Sequence, residues 1–161
     1  MDEAEIRNNI IKEVHMKPSF EKYNESNVRN NTNCYSHALG STFPYLKAYR
    51  IGAICSKKPI TEEYRSIEEI KKLLFLDCEA IQLKIEESSL EEELLEGQFK
   101  IALFVEKWSN GRINDYHFFR FDNGIWTEKR KREPMVVVED LKENKVNYYP
   151  WNLGGFYKIT K

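Results

Sequence analysis

Cys34, His117 and Glu128 are the residues whose types and spacing could carry out chemistry in this chain. Asn33 is a favourable N-cap, and Cys34-Tyr35-Ser36-His37-Ala38-Leu39 then spans about one and a half helical turns before Gly40. The thiol therefore sits in the first turn of a helix, where unpaired N–H groups and the positive end of the helix dipole stabilise a thiolate. A thiolate nucleophile needs a proton acceptor, and His117 lies in the strand-like run DYHFFRF. Strand alternation puts Asp115, His117 and Phe119 on one face, where the imidazole could act as general base and then general acid. The dipeptide Asn123-Gly124 predicts a two-residue hairpin turn. Counting outward from it, Asp122 pairs with Ile125 and Phe119 opposes Glu128, so Glu128 shares the face of His117 on the diagonal. A carboxylate there would fix the ring's tautomer and stabilise an imidazolium. Asp115 is the rival for that role. The Cys34 N–H is the first candidate oxyanion donor, and a side-chain amide from Asn33 or Asn31 is the second. Capping the helix is the stronger expectation for Asn33.

The elements that must position these residues follow from pattern. Ile6, Ile10 and Val14 form a helical stripe over residues 3–16, ended at Pro18. The Asn-rich stretch from Ser19 to Asn33 reads as a loop. Ser66 and Glu69 form a capping-box pattern ahead of Ile67, Ile70, Leu73 and Leu74. Ile81, Leu83 and Ile85 alternate as in a strand, and SSLEEELLEG reads as a short acidic helix stopped by Gly97. Strands are expected over Phe99–Trp108, Tyr116–Phe121, Ile125–Lys129, Met135–Val138 and Gly155–Ile159. Helices first and an antiparallel meander afterwards make an α+β pattern in a single domain. Within it, 1–32 is an N-terminal helix and loop, 33–77 a helical part with the candidate nucleophile, and 78–161 mainly sheet.

Composition narrows the function classes. The chain has 161 residues, 25 Lys+Arg against 26 Asp+Glu, and 41% hydrophobic residues, which excludes disorder and gives no electrostatic reason for a nucleic-acid or membrane partner. No apolar run reaches the roughly 20 residues of a membrane span. MDEAEIRNNIIKEVH lacks the basic start and apolar core of a secretory signal, so the expected location is cytoplasmic as synthesised. Three cysteines without close spacing do not describe a disulfide framework. Zinc held by Cys34, His37, Cys55 and Cys78 is not expected, because only Cys34-x-x-His37 has ligand-pair spacing. His37, one turn beyond Cys34, is poorly aimed as a base. Lys129-Arg130-Lys131-Arg132, near Trp126 and Tyr116, could bind phosphates, but a solvated hairpin end is the expectation. Trp108, Trp126, Trp151 and Tyr148-Tyr149-Pro150 could line a cleft, although aromatics in a sheet are mostly core.

Asn33-Cys34-Tyr35-Ser36-His37-Ala38-Leu39, Asp115-Tyr116-His117-Phe118-Phe119-Arg120, Gly124-Ile125-Trp126-Thr127-Glu128-Lys129 and a closing Gly155-Phe156-Tyr157 together resemble papain-like cysteine peptidases and amidases. The branch they look like is a poorly characterised bacterial one near the NlpC-type and CHAP-type cell-wall hydrolases, in which similar segments read NCYxYAL, DYHWYR and WSHK. The resemblance runs from about residue 30 to the C-terminus. It implies a Cys on a helix N-terminus, a His on the antiparallel sheet and a third polar residue on the next strand, with no metal or organic cofactor. Here WSHK becomes WTEK, so Glu128 stands where the branch has His. The implied substrate is a peptide or peptidoglycan-like amide, or a protein, with delivery by phage lysis or specialised secretion. The alternative expectation is a binding module that keeps the fold without the activity.

Overall fold

In the computed structural model, residues 1–16, 20–57, 63–139, 141 and 151–161 are described. Among these residues, five α-helices, α1 (Glu3–Val14), α2 (Phe20–Asn24), α3 (Ser26–Asn30), α4 (Cys34–Leu39) and α5 (Ile67–Ala80), accompany six strands, β1 (Lys84–Ser88), β2 (Gln98–Lys107), β3 (Ile113–Asp122), β4 (Ile125–Lys129), β5 (Met135–Val138) and β6 (Asn152–Thr160). All strands join one antiparallel sheet in the order β1-β6-β2-β3-β4-β5. The α+β class is as expected. The meander is not complete, because β6 returns from the end of the chain and inserts between β1 and β2. Among the described residues no helix is long and apolar enough to cross a membrane.

Local rules account for the helix starts. Asp2 caps α1 by accepting from the Glu5 N–H at 2.8 Å, and Ser66 caps α5 by accepting from the Glu69 N–H at 3.1 Å. The expected return bond of the box is displaced by one residue, since Glu69 Oε1 accepts from the Arg65 N–H instead. Asn123 and Gly124 both have positive φ, 52° and 79°, and close a two-residue hairpin with Asp122 opposite Ile125.

Four segments depart from expectation. The stretch read as a loop from Ser19 holds α2 and α3, because Tyr23 and Val28 bury one side of each against Met135. The strand after α5 starts at Lys84, not Ile81; Ile81 and Leu83 are buried beneath the turn that ends the helix. Residues 89–97 form no helix: Lys100 Nζ draws in the carbonyls of Leu90 (3.2 Å) and Glu92 (2.6 Å), which fixes an irregular path. Trp108 is exposed, so it belongs to neither core. Pro18, part of the 56–65 loop and Tyr148-Tyr149-Pro150 lie outside the described residues.

The sheet is covered on both faces. On one, α4 and α5 pack through Tyr35, Ala38, Leu39, Leu74 and Cys78 onto Ile101, Leu103, Phe118 and Ile159, each large side chain contributing about 1.5–3 kcal/mol by burial. On the other, Ala102, Phe104, Phe119 and Phe156 form a smaller cluster.

Two polar anchors hold α4 in place. Arg120, fully buried on β3, donates to the Ala38 carbonyl at 3.0 Å and to Asp122 at 3.2 Å while lying over the Phe99 ring. A cation at the carbonyl end of a helix is favourable. Gly40 allows this approach: its φ is +84°, and a Cβ there would fall 2.8 Å from the Arg120 guanidinium. At the other end, Tyr35 donates to Asp77 at 2.6 Å, and Asp77 also accepts from the N–H groups of Gly52 and Cys55.

Candidate active site

Asn33 builds the start of α4. Its Oδ1 accepts from the N–H groups of Tyr35 (3.0 Å) and Ser36 (3.1 Å), and the Ser36 hydroxyl accepts from the Asn33 N–H at 2.7 Å, a complete capping box. Its Nδ2 donates to the Tyr49 carbonyl at 2.7 Å, so the amide oxygen and one of its N–H groups hold the start of the helix, as expected of a cap. The Asn31 amide is engaged with Asn27. Cys34 is the first helical residue, as expected.

The sheet supplies the rest. The β3–β4 ladder ends at Arg120 opposite Thr127. Two residues along β3 from that last pair stands Phe118, whose backbone acts to lower the Cys34 thiol. His117 projects from the face opposite α4, packed edge-on against Phe119 (centroids 4.8 Å) and Trp151 (5.8 Å). The helix therefore does not pack against the histidine's face. Instead Cys34 and His117 line a common cavity. Cys34, His117, Asn33, Asp115, Arg130 and Trp151 line one open cavity of about 460 Å³.

Glu128 is buried on β4, opposite Val136. The paired register stops one step short of the expected Phe119–Glu128 opposition, yet Glu128 Oε1 lies 3.7 Å from His117 Nε2. The same oxygen takes a 2.6 Å bond from Arg130 Nε. Asp115 lines the cavity but its Oδ1 accepts from the neighbouring Tyr116 N–H at 2.8 Å.

No family model matches the chain, and neither a curated protein nor a solved structure matches it.

Electrostatics correct the expectation of a depressed thiol. Burial pushes Cys34 up to about 12, outweighing the Phe118 backbone, which acts downward. Six residues of helix with an N-cap already spent on its N–H groups offer little field to oppose desolvation. Burial also pushes His117 down to about 3, helped by the Arg130 guanidinium. Arg130 thus holds Glu128 and repels a proton from the ring. The resting pair is a neutral thiol and a neutral imidazole.

His37, Cys55 and Cys78 do not line this cavity. His37 is buried beside Thr127 Oγ1 (2.9 Å) and edge-on to Tyr23. Cys55 hydrogen-bonds at the Asp77 turn and Cys78 packs in the core. Among the described residues no group of three or more His, Cys, Asp or Glu could hold a metal ion. The basic run is a solvated hairpin end at Arg130, Lys131 and Arg132, which are exposed as expected, with two exceptions to that reading: Arg130 also pairs with Glu128, and Lys129 is fully buried. Sequence reasoning missed both because strand alternation alone does not say which β4 face meets protein.

The two buried rings set a pH dependence of stability. His37 and His117 are both pushed from 6.5 to about 3 by burial, so the unfolded chain takes up protons between those values that the folded chain refuses. Stability is then constant with respect to these rings above about pH 6.5 and falls as the pH drops toward 3, by roughly 1 kcal/mol per pH unit for each ring. The urea midpoint is expected to start declining above the range where exposed carboxylates titrate. A midpoint flat from about pH 7 to about pH 5 would contradict the neutral rings.

Proposed function

We propose that this chain is a papain-like cysteine hydrolase or acyltransferase acting on an amide or peptide bond, of a peptidoglycan-like peptide or of a protein. The observation that carries this reading is the convergence of Cys34 and His117 on one cavity with the Glu128 carboxylate 3.7 Å from His117 Nε2. Cys34 sulfur attacks the carbonyl carbon as its proton passes to His117. His117 then gives that proton to the leaving amine, and a thioester remains. Water or an acceptor amine, deprotonated by His117, attacks the thioester and returns the thiol. Because the thiol rests high and the imidazole low, proton transfer accompanies attack, with the imidazolium stabilised as it forms by Glu128 and by the adjacent negative charge. The Cys34 N–H is the oxyanion donor that this reading uses. The chemistry calls for no metal or organic cofactor.

One observation favours a second reading, a binding module without turnover: Glu128 is already engaged by Arg130 at 2.6 Å, and burial keeps both reacting groups neutral. Labelling decides between them. An electrophilic amide probe should modify Cys34 faster than Cys55 or Cys78 at near-neutral pH, as read by peptide mass spectrometry. Equal labelling of the three thiols would overturn the enzyme reading and leave the binding module.

A further inference from the structure

Lys129 ends β4 with its side chain fully buried. Its Nζ donates to the carbonyls of Arg29 (2.8 Å) and Thr32 (2.9 Å) and to that of Lys131. Three donors meet three acceptors, which matches an ammonium. A neutral amine has only two N–H groups and would turn its lone pair on a carbonyl. Neutral dipoles alone are weak compensation for a buried charge, and an apolar side chain is the less costly way to fill such a site, as Tyr23, Val28 and Met135 do beside it.

The grip extends to the segment that carries the thiol. Thr32, which the ammonium grips, lies two residues ahead of Cys34 on the segment entering α4. The groups that act on the lysine are Cys34 on α4, Arg29 on α3, which repels it, and Glu133 in the turn after β4, which attracts it. Toward Cys34, Lys129 and Asp115 act in opposite senses, the lysine favouring the thiolate and the aspartate opposing it. Burial lowers Lys129 to about 8, so the ammonium persists at neutral pH and is lost just above it.

We propose that Lys129 is the positioning residue of the Cys34 site: its ammonium clamps the Arg29–Thr32 segment and supplies the positive field under which the Cys34 sulfur carries negative charge as its proton leaves for His117. This rests on the reading of Cys34 as a nucleophile.

The test is alkylation of Cys34 in the full chain by iodoacetate, an anion, and by iodoacetamide, its neutral analogue, each rate referred to that of N-acetylcysteine. Near pH 7 the iodoacetate-to-iodoacetamide ratio at Cys34 should exceed the reference by about fivefold. Lys129→Gln should bring it to the reference value, and Lys129→Arg should keep most of it. Since these variants can disturb folding, the unaltered chain supplies a second reading: its ratio should fall as pH rises through about 8. A ratio equal to the reference, a ratio indifferent to pH, or a Cys34 that neither reagent modifies would overturn the role of Lys129. Amide turnover is a separate measurement. A charge effect without turnover overturns the enzyme reading alone, and turnover without a charge effect overturns the lysine's role alone.

Discussion

His117→Gln is expected to slow acylation of Cys34 by an activated amide or ester by roughly 100-fold or more, the usual contribution of a positioned general base. Glutamine nearly preserves the volume packed against Phe119 and Trp151 but offers no nitrogen that takes up a proton. The effect should lie in the chemical step, so the loss appears in single-turnover rate while the thermal midpoint moves little. Glu128→Gln should cost less, because the carboxylate acts through the ring at 3.7 Å and shares its oxygen with Arg130. A His117→Gln rate within about threefold of the unaltered chain would remove the histidine from the mechanism.

Asp77→Ala is expected to be the most damaging single change to stability, by about 3 kcal/mol or more in urea unfolding. The buried carboxylate collects the Tyr35 hydroxyl at 2.6 Å, the Gly52 N–H at 2.8 Å and the Cys55 N–H at 2.9 Å. Alanine strands all three donors, those of Tyr35 and Gly52 in a buried place. Burial raises the Asp77 carboxyl, and those same hydrogen bonds oppose the rise, so donors and charge depend on each other. Tyr35→Phe removes one donor and should cost only about 1 kcal/mol. Because Tyr35 follows Cys34 directly, Asp77→Ala should also loosen the start of α4 and raise amide exchange there. A change in stability under about 1 kcal/mol would show that the Asp77 cluster is not an anchor.

The two anchors of α4 differ in how far they can be read from sequence. Asn33 before Cys34 and Gly40 after Leu39 are local signals, and the helix bounds follow from them, as do the Asn123-Gly124 turn and the Asp122–Ile125 pairing. Asp77 and Arg120 carry no such signal. Their partners lie 42 and 82 positions away, and nothing local says that a charged residue on a helix or strand will be buried. For the same reason the acidic stretch before Gly97 reads as a helix until Lys100 is seen to hold its carbonyls.

What the sequence alone determined is the small set of candidate actors and their local frames: Cys34 first in a capped helix, His117 on a strand, Glu128 on the next strand beyond a two-residue turn. Those follow from capping, alternation and turn chemistry, which act over a few residues. Only the tertiary structure decided that Cys34 and His117 line one cavity, that Arg130 shares Glu128 with the ring, and that Lys129 is buried beneath the entry to α4. It also reversed the expected protonation. Helix-start effects favour a thiolate, but desolvation depends on everything packed around the sulfur, and that packing is a property of the whole fold.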